Sequence, residues 1–200
     1  MKDSLMTIEK DFFRRVMGRF ATGVTVVTTR YQDKLGGLTV NAFCSVSLTP
    51  PLILVCIDLA SQTVQLIRES QVFAVNMLTE EQEHLSRCFA THSAERFEQF
   101  CRTPYHTAAT GAPILDNTLA FIDARVVAEY PGGDHAIFLG QVVAMGTTQQ
   151  VVFANEAESE LSTLIETPLH NTVEDKKALI YYRAQYGRLA KNGSSIVCRK

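Results

Sequence analysis

Between Gly36 and Pro51 the chain reads GGLTVNAFCSVSLTPP. Thr39, Asn41, Phe43, Ser45 and Ser47 occupy alternate positions in it. A strand sends successive side chains to opposite faces. These five therefore share one face, and Leu38, Val40, Ala42, Cys44, Val46 and Leu48 share the other. The apolar set suits a core. The polar set offers hydroxyls, an amide and one ring, with no charge, and it suits the edges of a planar heteroaromatic ligand. Each of those polar groups costs about 1–3 kcal/mol if buried without a partner. An exposed threonine-rich strand satisfies the same pattern, and alternation alone leaves both alternatives open.

Three further stretches carry candidate chemistry. DLASQT, 58–63, sets Ser61 and Thr63 where a strand gives way to a helix. A helix start has unpaired N–H groups and attracts phosphate, although ordinary capping uses the same residues. RCFATHSAERF, 87–97, holds Arg87 and Arg96, either an anion clamp or a pair of solvated arginines. YPGGDHAIFLG, 130–140, puts Asp134 and His135 at a glycine-containing hairpin tip. Backbone can approach a ligand closely there, and His135 can position a group or move a proton. Turn chemistry alone also accounts for Gly-Asp.

Other chemistries are disfavoured. Net charge is -2 and no basic run occurs, so no nucleic-acid footprint is present. No apolar stretch reaches the roughly 18 residues of a membrane span. The start lacks a signal-peptide core, which predicts a cytoplasmic protein. The five cysteines are widely spaced, and their odd number argues against a disulfide framework. The histidines show no zinc spacing, so no metal is expected. Neither GxGxxG nor a P-loop occurs.

These residues must be positioned by elements, and the periodicity supplies them. Residues 8–20 read as an amphipathic helix. VTVVTT, 24–29, is β-branched and reads as a strand. RYQDKLGG reads as a turn, and 38–48 as one continuous strand ended by Pro50 and Pro51. LILVCI, 52–57, is apolar throughout and reads as a barrel wall. A short helix follows Ser61, then a strand at 72–78. Thr79 and Gln82 form a capping box before the next helix. Residues 119–147 form a long hairpin turning at YPGGD. A last strand lies in 178–190, and the tail from 191 should fray. Hairpin connections without regular βαβ crossovers predict a mainly β fold with helical insertions, an antiparallel Greek-key split barrel. A single domain spans 1–190, with 154–176 a probable insertion by its polar, mixed character.

Together these stretches resemble the flavin reductase family of FMN-binding split barrels. FRRVMGRFATGVTVVTT is similar to the family's opening helix and first strand, and GLTVNAFCSVSLTPPLILVCID to its signature. SQT, FAVNML, RCFA, GDHAIFLGQV and LIYYRAQYGRL continue the resemblance. It implies FMN or FAD as cofactor and NADH or NADPH as hydride donor. By it, Thr39, Val40, Asn41, Ala42 and Ser45, Val46, Ser47 meet the isoalloxazine ring, and Cys56 and Gln62 join the cofactor site. Ser61 and Thr63 would take the phosphate. Phe89, Ala90 and Arg96 would line the flavin tail. Gly133, Asp134 and His135 would face the nicotinamide. The resemblance further implies a homodimer that supplies reduced flavin to a flavin-dependent monooxygenase. The alternatives are a flavoprotein with tightly held FMN that reduces another acceptor, and a non-catalytic FMN carrier or sensor. Gln141 departs from the family's usual Glu, and Ala178 from its usual Pro.

Overall fold

The computed structural model describes residues 8–147, 151–154, 164–165, 176–189 and 196–198. Most of the expected insertion at 154–176 lies outside the described residues. Helix α1 (Lys10–Met17) is followed by β1 (Thr22–Gly23), β2 (Thr25–Tyr31), β3 (Lys34–Val40), β4 (Phe43–Leu48) and β5 (Pro51–Asp58). Then come α2 (Gln62–Ser70), β6 (Val72–Met77), α3 (Glu83–Ala90) and α4 (Ala94–Phe97). The remaining strands are β7 (Tyr105–Thr107), β8 (Pro113–Leu115), β9 (Ala120–Gly132), β10 (His135–Thr147), β11 (Val151–Phe153), β12 (Leu164–Ile165), β13 (Leu179–Tyr182), β14 (Gln185–Leu189) and β15 (Ile196–Cys198).

Antiparallel pairing runs through β3, β2, β6, β9, β10, β5 and β4 in turn. β10 pairs with β9 along its length, while β5 takes its other edge from His135 to Gln141. The curled sheet nearly closes where Cys56 N donates to Ala42 O at 3.0 Å. That seam, at the link from β3 to β4, continues the β4–β5 ladder past Phe43 and Val55, and the sheet it edges is a mostly antiparallel split barrel. β-branched and apolar residues fill it. Val27, Val55, Phe73 and Phe138 are fully buried, and Val64 and Ile67 of α2 close one side. A second cluster joins Phe89 of α3, Phe100, Leu115 and Leu179 of β13.

Several sequence expectations change. Residues 38–48 are two strands, since β3 ends at Val40 and β4 starts at Phe43. The break exchanges the faces. Phe43 packs on the core, whereas Cys44, Val46 and Leu48 are exposed, Leu48 at 91 %. A bulge between Ser45 and Ser47 adds to this. The turn of RYQDKLGG shrinks to Gln32 and Asp33, because Tyr31 already pairs with Lys34. Gly36 and Gly37 lie within β3 instead, where helices press on the strand. A Cβ at Gly37 would stand 2.4 Å from the Phe89 ring.

The closing segment forms a hairpin of β13 and β14 in place of one strand. Ile196–Cys198 adds a third strand on β14, inside the stretch expected to fray. Cys88 and Cys101 form a disulfide, against the expectation from the odd cysteine count. It ties α3 to a turn, Phe100–Arg102, whose three residues all have positive φ. Helix α1 is amphipathic as its spacing predicts, yet it buries none of its residues.

Candidate functional site

The predicted anion residues converge where α2 begins. Ser61 caps the helix, its Oγ accepting from Thr63 N at 3.3 Å. Arg96 of α4 reaches the same oxygen through Nη2 at 3.4 Å. Its Nε donates to Gly37 O at 2.7 Å and its Nη1 to Thr91 O at 3.1 Å. The Arg96 guanidinium also lies 4.7 Å from the centroid of the Phe97 ring. Arg96 is only 5 % exposed. Among the described residues no carboxylate pairs with it, and burial pushes its pKa down from the ordinary value. A desolvated cation without a counter-charge is costly, so this one is set up for an external anion. Three of the five guanidinium N–H groups are committed, which leaves two free.

A second orphan sits beside it. Thr63 is 1 % exposed and its Oγ1 has no hydrogen-bond partner. A buried cation without a counter-charge and the N–H groups at the start of a nine-residue helix therefore share one corner through Ser61. Their donor set fits a phosphate ester. Gly37 and Thr91, which hold Arg96 in place, were not singled out from the sequence. The only available signal for them was the Gly-Gly pair on a strand.

The predicted ring wall runs from β3 into β4. Thr39 Oγ1 donates to Ser86 O at 2.6 Å, fixing β3 against α3. Val40 is core. Asn41, Ala42, Ser45 and Val46 are exposed, and Ser47 is half-buried with its Oγ accepting from Thr49 N at 3.3 Å. Cys56 lies across the seam from Ala42, and burial, then the nearby Cys44, push its thiol pKa up. A raised pKa makes it a poor nucleophile.

The turn Gly133–Asp134 joins β9 to β10, with Gly133 at φ 75°. Leu59 N donates to Asp134 O at 3.0 Å, which docks this turn onto the residues leading into α2. His135 Nδ1 and Asp134 Oδ1 are 2.7 Å apart. That hydrogen bond, then the imidazole charge, hold Asp134 below the usual carboxylate range. The turn, the anion corner and the seam thus lie on connected segments. Phe89 and Ala90 are placed differently. Phe89 is fully buried behind Gly37, and Ala90 faces a separate crevice with Arg87 and Tyr186. Gln62 is exposed at the start of α2.

The fold and site together define a class, and comparison with known proteins names it. Residues 17–190 match the family model "Flavin reductase like domain". The chain is 36 % identical over 144 residues to the reductase subunit HsaB of a flavin-dependent monooxygenase from Mycobacterium tuberculosis, covering 72 % of this chain and 75 % of that one. It is 40 % identical over 146 residues to "Flavin reductase (NADH)" of Kitasatospora aureofaciens, covering 72 % and 75 %. The solved structure of flavin reductase PheA2 superposes with a TM-score of 0.73 at 30 % identity, over 92 % of this chain and all of that one. This chain belongs to the flavin reductase-like family.

Proposed function

We infer that this protein is an NADH-dependent flavin reductase that supplies reduced flavin to a separate monooxygenase. The observation that carries the reading is Arg96, a buried guanidinium without a counter-charge beside the capped start of α2. Flavin phosphate satisfies it, together with the N–H groups at the start of α2. From that anchor the proposal has the seam residues Asn41, Ala42, Ser45, Val46, Ser47 and Cys56 meet the ring edges, with Thr39, bonded to Ser86 O, stiffening the wall from behind. The flavin, when bound, supplies the hydride-accepting chemistry. The protein supplies binding, orientation and exclusion of water. His135, held by Asp134 on the docked turn, positions the nicotinamide side of the site. No arginine cluster for a 2′-phosphate is evident, which favours NADH, and the names of several relatives point the same way.

A second copy of the chain belongs to the same reading. Asn41, Ala42 and Ser45 are exposed on one protomer, so half of the ring wall faces outward. Val46 and Leu48 lie on the same strand, also exposed. A homodimer interface over β4 would close this wall. A cytoplasmic location completes the proposal. The Cys88–Cys101 disulfide then stands against a reducing thiol pool, and rapid thiol trapping on lysis measures how much of it forms in the cell.

The test is NADH and NADPH oxidation by the purified protein with added FMN, FAD or riboflavin. Turnover with NADH and flavin supports the reading. No turnover with any pair overturns it.

A further inference from the structure

The Cys88–Cys101 disulfide closes a loop that carries Arg96 together with its partner Thr91. We propose that this bond is a thiol-redox site, and that its reduction by a cellular dithiol lowers the affinity for flavin phosphate. The proposal rests on the flavin-reductase reading above and adds to it a control of the anion corner.

The way Arg96 is held carries it. From Ala90 to Gln99, Arg96 is the only buried residue. Apolar burial therefore does little to fix this stretch. Helix α4 has four residues, far fewer than an isolated helix needs. Its start depends on Ser93 Oγ, which accepts from Arg96 N at 3.3 Å. Arg96 itself is a buried cation, which opposes its own placement.

The anchors lie at the two ends of the loop. At one end, Cys88 O accepts from Thr91 N at 3.1 Å and from Thr91 Oγ1 at 2.8 Å. Thr91 O in turn accepts from Arg96. At the other end, Phe100 meets Phe89 of α3 edge-on, with ring centroids 5.2 Å apart. Cys101 follows in the turn whose φ angles are 47°, 53° and 50° for Phe100, Cys101 and Arg102. Residues with side chains are disfavoured there. The disulfide pins that turn to α3. Once it is cut, the turn is free to relax towards negative φ, and α4 and Arg96 move with it.

The exchange has an open side. Cys88 is half-buried and Cys101 only 8 % exposed, so an incoming thiolate meets Cys88 first. It forms a mixed disulfide with Cys88, and Cys101 leaves as a thiolate and takes up a proton. The second thiol of the reductant then displaces Cys88. The protein disulfide gains two electrons and two protons and becomes two thiols, while the dithiol becomes a disulfide. In a reducing cytoplasm a disulfide is characteristically transient and redox-sensing.

The experiment titrates three proteins with FMN and with riboflavin, which lacks the phosphate. They are the oxidised wild type, the wild type reduced with a water-soluble phosphine and desalted without air, and the double variant Cys88→Ser with Cys101→Ser. Placement of Arg96 in about a tenth of the reduced molecules raises the FMN dissociation constant about tenfold. The constant should rise by that much on reduction, return on reoxidation and stay high in the double variant, with riboflavin binding unmoved. Amide hydrogen exchange across residues 91–102 of the wild type should quicken on reduction. An FMN constant equal in both redox states, a riboflavin constant that moves as much, or unchanged exchange in that stretch overturns the redox control. An oxidised protein that binds neither flavin instead overturns the reductase reading.

Discussion

At the scale of the residue, Arg96 concentrates the argument. Its three bonds go to two backbone carbonyls and a hydroxyl, none of which carries charge. A hydrogen bond to a charged group contributes about 1.5–3 kcal/mol, so Arg96→Ala should weaken flavin binding roughly 10- to 150-fold. Arg96→Lys should recover only part of this, because an ammonium lacks the planar fork. Flavin titration by fluorescence quenching reads both. The sequence marked Arg96, with Arg87, as either an anion clamp or a solvated arginine but could not show that it is buried, which only the packing of α4 against β3 decides. Among the described residues Asp123 is the other buried ionisable side chain, and its bonds are structural. It accepts from Thr110 N at 2.8 Å and from Thr110 Oγ1. Desolvation raises its pKa, and the Thr110 hydrogen bonds oppose the rise without cancelling it. A carboxyl raised in the folded state contributes stability that is complete below the unfolded pKa, about 3.9, and is lost as pH rises through the folded value. The denaturation midpoint of the wild type relative to Asp123→Asn should therefore fall across that window and then level off.

At the scale of the element, helix and strand types were largely legible from β-branching and helical spacing, and details of backbone geometry were not. The break at Asn41 and Ala42 is invisible to alternation, because the apolar–polar pattern continues through it while the faces exchange. Proximity across the seam, a long-range property, imposes it. The two glycines of β3 were read as a turn because glycine serves turns and close contacts equally. The disulfide was missed for a similar reason. Cys88 and Cys101 are thirteen positions apart, and the left-handed turn Phe100–Arg102 brings them together. Closing a loop of that size stabilises by about 3 kcal/mol in the chain-entropy model. Cys101→Ser should cost roughly that much in urea denaturation under oxidising conditions. Under reducing conditions the variant and the wild type should converge.

At the scale of the whole molecule, the barrel was predictable from its hairpins and its outer surface was not. Helix α1 carries Ile8, Phe12, Phe13, Val16, Met17 and Phe20 around it, all exposed, with Phe12 at 56 %. The spacing predicted an amphipathic helix but not which way its apolar face would point, and that face is exposed. Val46 and Leu48 of β4 are exposed apolar side chains as well. On the proposed homodimer, the double variant Phe12→Glu with Leu48→Glu should sediment as a monomer and bind flavin more weakly; a wild type that already sediments as a monomer would overturn the dimer proposal.

The distance between Arg96 and the seam also bears on how the product leaves. A phosphate has the same charge whether its flavin is oxidised or reduced, so the grip at Arg96 does not sense the electrons. Any difference in residence time between the two forms must arise at the ring wall, from Asn41 to Ser47. Substitutions at Arg96 should thus speed departure of both forms alike and leave the midpoint potential of bound flavin where it was. Substitutions at Ser45 or Ser47 should separate the two off-rates. On the proposed function, the balance between releasing reduced flavin and keeping the oxidised form is then set in the short exposed stretch from Asn41 to Ser47.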